Sequence, residues 1–191
     1  MIVNQNFIIS EGYFPDHVCH DIIQSAKNQQ EIDGVIQKGD DKKVRNSRVT
    51  WLKDKWIYDW IEGLVYQINQ EQDWNFVLSA PEDIQFTRYK VGQFYGWHQD
   101  VYENLPNGLQ RKKSVVIPLV DSNEYEGGDL QFYNPMENPN KSQEDKIIKL
   151  EKLRIKGSAI IFPSYIYHQV TPVTKGERLS IVIWFNGEKW K

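Results

Sequence analysis

Between residues 16 and 70, apolar side chains recur at steps of three and four, the spacing of one helical face. In 16–27, Val18, Ile22 and Ile23 share such a face, and Asp16, after Phe14-Pro15, reads as the N-cap. In 54–70, Trp56, Ile57, Trp60, Ile61, Leu64, Val65 and Ile68 form a stripe suited to burial against a sheet. After about residue 75 the pattern changes to short runs rich in β-branched and aromatic residues. These lie at 83–91, 113–120, 129–133, 147–155, 158–162, 165–170 and 179–185, with turn signals such as Pro106-Asn107-Gly108, Gly127-Gly128, Asn134-Pro135, Lys156-Gly157 and Lys175-Gly176 between them. Many short strands punctuated by Gly and Pro predict a sandwich or jelly roll. The expected fold is therefore mainly β with flanking helices. Two N-terminal helices pack on the major sheet, in one domain over 1–191 with a supporting part at 1–80 and a strand core at 81–187. Two polar connections, 101–113 and 134–145, are long enough to act as lids.

Bulk properties narrow the function. With 40% hydrophobic and 26% charged residues, the chain reads as an ordinary globular protein. Seven Trp and 13% aromatics point to an aromatic core or a lined cleft, the core being the commoner case. The net charge of −3 and the lack of a basic stripe argue against a nucleic-acid partner. One cysteine, Cys19, excludes an internal disulfide and fits a reducing compartment. The first residues carry no basic stretch followed by an apolar run, and no apolar run is long enough to span a bilayer. The expectation is a cytoplasmic protein with no membrane contact.

Four histidines are present. His98-Gln99-Asp100 places an imidazole and a carboxylate at i and i+2, which share a face on a strand. His-x-Asp is weak by itself. His168, after the apolar run Ser158-Ala159-Ile160-Ile161-Phe162-Pro163, supplies a third ligand. Two His and one carboxylate on one face of an octahedron leave three positions open, the arrangement suited to iron(II) oxygen chemistry. Ten residues on, Arg178 follows a turn and begins a strand, and an antiparallel hairpin is expected to return it beside His168 with Ser180 facing the same way. A guanidinium there matches the distal carboxylate of a dicarboxylate. His17 and His20, three apart on the first helix, have no further ligands and read as solvated.

These residues resemble the 2-oxoglutarate- and iron(II)-dependent oxygenases of the prolyl 4-hydroxylase type. The resemblance rests on Tyr89-Lys90-Val91-Gly92-Gln93 leading into His98-Gln99-Asp100, then Glu126-Gly127-Gly128-Asp129, Lys156-Gly157-Ser158, and His168-Gln169-Val170-Thr171-Pro172 closing with Gly176-Glu177-Arg178. It runs in order from about residue 83 to 185. It implies a double-stranded β-helix (a cupin-like jelly roll), Fe(II) held by His98, Asp100 and His168, and 2-oxoglutarate as co-substrate bound by Arg178 and Ser180. Tyr89 sits where the family has a tyrosine aimed at the co-substrate; the alternative is a core tyrosine. Val44-Arg45-Asn46-Ser47 and Trp51 resemble the segment bordering the substrate groove, which would give Arg45 and Trp51 substrate roles; the alternative is a strand with a solvent-facing Arg and a buried Trp. The resemblance further implies a prolyl residue in a peptide or protein as substrate and ascorbate as reductant. The animal and plant enzymes usually carry Lys where this chain has Arg178. Hydroxylation of a free amino acid or other small molecule, and a non-catalytic jelly-roll binding module, are the competing readings.

Overall fold

In a computed structural model the described residues are 1–4, 6–35, 41–101, 108–134 and 140–189. The elements run β1 (Ile2–Asn4), β2 (Phe7–Ser10), α1 (Asp16–Lys27), β3 (Ile32–Asp33), β4 (Arg45–Asn46), β5 (Arg48–Leu52) and α2 (Lys55–Glu71). They continue with β6 (Ile84–Tyr89), β7 (Phe94–His98), β8 (Gln110–Pro118), β9 (Tyr125–Gly127), β10 (Leu130–Tyr133) and β11 (Ile147–Ile148). β12 (Ala159–Pro163), β13 (His168–Val170), β14 (Val173–Gly176) and β15 (Arg178–Gly187) complete the fold. A major sheet of eight strands has the order β1-β2-β12-β8-β15-β6-β5-β3. It faces a minor sheet of order β11-β10-β13-β7-β4, with β14-β9 as a separate ribbon. This is the expected jelly roll with two helices.

The major sheet is buried on both faces, so its strands read as nearly continuous apolar runs whose alternate residues serve different layers. In β8, Val115 and Ile117 join the layer under the helices, whereas Val116 points between the sheets. β12 splits the same way, with Ile161 beneath the helices and Ile160 and Phe162 in the sandwich. Ile57, Ile61, Leu64, Val65 and Ile68 of α2 and Val18 and Ile22 of α1 cover the helix side. Thus the predicted stripe of α2 is buried where expected, although Trp60 stays 37% exposed.

Several boundaries differ from expectation. The cap of α1 is Pro15, and Asp16 is the first helical residue, where its charge still favours the helix N-terminus. Residues 147–155 are not one strand: β11 is two residues long and Glu151–Arg154 form a 3-10 turn. Arg154 explains the turn, because its guanidinium donates to the carbonyls of Gly127, Ser122 and Tyr125 and pairs with Asp129. The run at 165–170 is strand only from His168, and β8 begins at Gln110, so the end of the expected 101–113 loop is sheet. The rest of the two lid candidates falls partly on 102–107 and 135–139, outside the described residues. N-terminal strands β1, β2, β3 and β5, absent from the periodicity reading, extend the major sheet. Gly127 and Gly128 take φ of +67° and +63°, in keeping with the tight turn. His17 and His20 are exposed on α1, as expected of solvated residues. Among the described residues no helix is long and apolar enough to cross a membrane.

Lys113 of β8 shares the parity of Val115 and points to the helix side. It is fully buried, and its Nζ lies 3.2 Å from the centroid of Trp74 and 5.1 Å from that of Phe76, with no hydrogen-bond acceptor among the described residues. A desolvated cation–π contact contributes about 2 kcal/mol, less than the several kcal/mol that burying a lone ammonium costs. Burial therefore wins and draws the amine down to about 6. A lysine whose folded pKa is depressed takes up protons on unfolding between that value and its ordinary one, so the fold gains stability as pH rises from about 6 toward 10. Lys113→Met is expected to stabilise the protein at pH 7 by about 1 kcal/mol or more and to flatten this slope. Urea denaturation at pH 7 and pH 9 measures both, and a destabilised Lys113→Met protein with an unchanged slope refutes this account.

Candidate metal centre

Three elements bring the ligand candidates together. β7 ends on His98, two residues before Asp100, and β13 opens on His168 as its register partner across the minor sheet. A bulge between His168 and Val170 shifts the pairing there, and such bulges re-aim side chains. Ligand atoms of His98, Asp100 and His168 all lie within 4.8 Å of one another. His98 Nε2 is 3.6 Å from Asp100 Oδ1, and His168 Nε2 is 3.6 Å from Asp100 Oδ2.

The other ring nitrogens orient the pair. His98 Nδ1 meets the Gly96 carbonyl at 2.8 Å, and His168 Nδ1 meets that of Ile166 at 2.9 Å. A carbonyl only accepts, so each Nδ1 donates to it, and each Nε2 is turned to the centre. Tyr95 stacks on His98 at 3.4 Å between centroids, and Phe162 packs edge-on against His168 at 4.8 Å.

Burial, aided by the neighbouring His168, pulls His98 down to about 3, so its imidazole is neutral near pH 7. Burial pushes Asp100 upward, but His168, His98, Arg111 and the Ser114 hydroxyl outweigh it and hold the carboxyl at about 2. Two imidazoles that present Nε2 and one carboxylate held ionised, all largely enclosed, fit a divalent transition metal.

A cavity of about 190 Å³ joins this cluster to Arg178, Ser180, Tyr89, Arg45 and Trp51. Arg178 is 2% exposed and donates to Ser180 Oγ at 2.9 Å, with its guanidinium 5.5 Å from the Tyr89 ring. Among the described residues no carboxylate pairs with it, an unusual state for a buried cation. It reaches His168 differently from the expected hairpin: β13 belongs to the minor sheet and β15 to the major one, and the two residues meet across the sandwich. β14 leaves to pair with β9, which separates the strands on either side of the turn.

Arg45, expected at the surface in the structural alternative, is buried, donating to Ser47 Oγ at 2.9 Å and the Val35 carbonyl at 3.0 Å, while its Nη2 has no partner among the described residues. Trp51, expected to be buried in that alternative, is 39% exposed at the rim and faces Trp184 at 6.3 Å. Trp184 carries Arg111 on its ring at 3.7 Å, and Arg111 is clamped by both oxygens of Glu82 at 2.8 and 2.6 Å. Trp97, next to His98, is 37% exposed and meets Tyr133 edge-on. The sequence reading missed Ser114, Ser164, Arg111 and Trp184. A serine inside the apolar run 113–120 was the available signal for the first of these.

The sequence model of the 2OG-Fe(II) oxygenase superfamily matches residues 84–186, just over half of the chain. The chain belongs to this superfamily. Its family implies Fe(II) and 2-oxoglutarate, and the match spans the segment from β6 into β15 that carries the buried cluster and Arg178. A PKHD-type hydroxylase of Alteromonas mediterranea is 35% identical over 103 residues, which are 52% of this chain and 41% of that protein. A protein of Acanthamoeba polyphaga mimivirus named as a prolyl 4-hydroxylase is 28% identical over 208 residues, covering 98% of this chain and 76% of its own. The chain thus spans about two-fifths of the length of the PKHD-type relatives it matches. Among solved structures, a viral collagen prolyl hydroxylase from Paramecium Bursaria Chlorella virus-1, in complex with 2OG, superposes with a TM-score of 0.69 at 22% identity, covering 96% of this chain and 97% of that one. A Trichoplax adhaerens prolyl hydroxylase, in complex with a hypoxia inducible factor peptide fragment, gives 0.74 at 17% identity, covering 95% and 84%. At these identities the likeness is one of fold.

The electrostatics of this cluster yield a pH signature. His98 is neutral when folded and titrates near its ordinary value when unfolded, so the unfolded chain binds more protons between about 3 and 6.5. Stability of the metal-free protein is expected to fall as pH drops through that window, and Asp100 extends the loss toward about 2. His98→Gln should flatten the decline between pH 6 and 4. Thermal melts across that range test this, and identical slopes for both proteins count against it.

Proposed function

We propose that the chain is a 2-oxoglutarate-dependent iron(II) dioxygenase that hydroxylates an unactivated C–H bond, with a prolyl residue in a peptide or protein as substrate. The observation that carries this reading is the sharing of one cavity by the His98, Asp100 and His168 cluster and a buried Arg178 that, among the described residues, has no carboxylate partner. His98, Asp100 and His168 hold the metal. Iron, when bound, supplies the redox chemistry in which one dioxygen converts 2-oxoglutarate to succinate and carbon dioxide and delivers its second oxygen atom to the C–H bond.

The protein's own groups bind, orient and exclude water. Arg178 takes the distal carboxylate of 2-oxoglutarate through parallel charge-assisted hydrogen bonds, and Ser180, already tied to it, adds a hydroxyl. Burial holds the Tyr89 phenol above its ordinary pKa, keeping it a neutral hydroxyl donor toward the same ligand. Arg45, with Nη2 unpartnered, offers a donor to a substrate carbonyl, and Trp51 at the rim offers an apolar wall. Support for a prolyl peptide comes from the mimivirus relative named as a prolyl 4-hydroxylase and from the hydroxylase solved with a peptide. Ascorbate serves as the reductant that returns oxidised iron to the ferrous state.

Anaerobic titration with Fe(II) and then 2-oxoglutarate should give a weak visible charge-transfer band. Arg178→Ala is expected to raise the 2-oxoglutarate needed by about 100-fold, the scale of truncating one partner of a buried charge pair. Proline-containing peptides should stimulate succinate release, and Arg45→Ala or Trp51→Ala should raise the peptide concentration required. A metal-loaded wild type with no band defeats the oxygenase reading. Stimulation by free amino acids alone defeats the peptide reading and leaves the chemistry standing.

A further inference from the structure

Ser114 is a polar residue on the sandwich face of β8, where Val116 is apolar. It lies two residues from Val116, opposite Phe162 of β12 and Trp184 of β15, and is fully buried. Its Oγ lies 2.7 Å from Asp100 Oδ2 and 3.0 Å from the Oγ of Ser164, which is also fully buried. A hydroxyl has one proton, and an ionised carboxylate only accepts. Ser114 therefore donates to Asp100, and Ser164 must be the donor to Ser114. The result is a directional chain, Ser164 to Ser114 to Oδ2, in which each bond polarises the next. Ser164 is itself fixed by its backbone: its N–H donates to the Lys112 carbonyl at 2.9 Å and its carbonyl accepts from Asp100 N–H at 2.9 Å.

This chain breaks a symmetry. The Asp100 carboxylate straddles the two imidazoles, with Oδ1 3.6 Å from one Nε2 and Oδ2 3.6 Å from the other. Nothing in the positions of the three ligand residues chooses between one oxygen and both. Ser114 engages Oδ2 and leaves Oδ1 uncommitted. We infer, on the oxygenase reading above, that Ser114, held by Ser164, restricts Asp100 to binding the metal through Oδ1 alone. Three protein donor atoms then leave three positions of an octahedron, two for 2-oxoglutarate and one for dioxygen. A carboxylate binding through both oxygens would occupy one of these. Ser114 and Ser164 are positioning residues, acting through Asp100.

The test is an anaerobic titration of wild type, Ser114→Ala, Ser114→Thr and Ser164→Ala, first with Fe(II), then with 2-oxoglutarate, following the charge-transfer band. Ser114→Ala should keep its Fe(II) affinity within about threefold, because all three ligands remain, yet need about tenfold more 2-oxoglutarate, the scale of one buried hydrogen bond to a charged group. Its band should also shift in position. Ser114→Thr, which retains the hydroxyl, should return both to wild-type values, and Ser164→Ala should move them in the same direction by about threefold. A Ser114→Ala protein with the wild-type band and 2-oxoglutarate requirement overturns the inference and leaves the oxygenase reading intact. So does an equal loss in Ser114→Thr, which would assign the effect to packing. A wild type that binds Fe(II) but gives no band removes the oxygenase reading itself, and the inference with it.

Discussion

Burial of the central major-sheet strands on both faces is the constraint from which the architecture follows. A strand covered by helices on one side and a second sheet on the other must be apolar at nearly every position, and alternation decides which layer each residue serves. β15 shows the division most clearly. Ile181, Ile183 and Phe185 lie beneath the helices, whereas Arg178, Ser180 and Trp184 face the cavity. A slip of one residue in pairing would send the guanidinium under the helices and isoleucines into the site. Stability and chemistry are thus set by the same register.

The cavity concentrates charge that the fold must offset. Asp100 is offset within the site, by the imidazoles, Arg111 and the hydroxyl of Ser114. His98 sheds its charge instead, because burial outweighs the attraction of the carboxylate. Arg178 stands beside Ser180 and, among the described residues, has no carboxylate partner. Lys113, on the helix side of β8, makes the contrast. An ammonium can lose its proton, and among Trp74 and Phe76 it does so readily. Arginine keeps its charge where a carboxylate ligand is wanted; lysine gives way where no ligand can come.

Much of this was legible in the chain itself. The three- and four-residue spacing of Ile57, Ile61, Leu64 and Ile68 identified α2 and its buried face, and His98, Asp100, His168 and Arg178 stood out as residue types that belong together chemically. Local pattern sufficed there because a helical stripe and a His-x-Asp pair are defined within a few residues. It failed at Glu151–Arg154, inside the 147–155 run expected as strand, where the chain makes a 3-10 turn and Arg154 reaches carbonyls some 27 residues away in sequence. It also failed for the short N-terminal strand β2, whose partner β12 lies far along the chain.

The sequence by itself determined which chemistry the chain can hold: two imidazoles, a carboxylate and an arginine, embedded in runs that alternate correctly for a jelly roll. Tertiary structure decided how they meet. The path between His168 and Arg178 looks like a hairpin in sequence, yet β14 leaves to pair with β9 and the two residues approach from opposite sheets. Ser114 reads as a minor interruption of an apolar strand until folding sets it 2.7 Å from Asp100. The physical reason is common to both: alternation fixes the side of a strand on which a residue points, but only long-range pairing fixes what lies on that side.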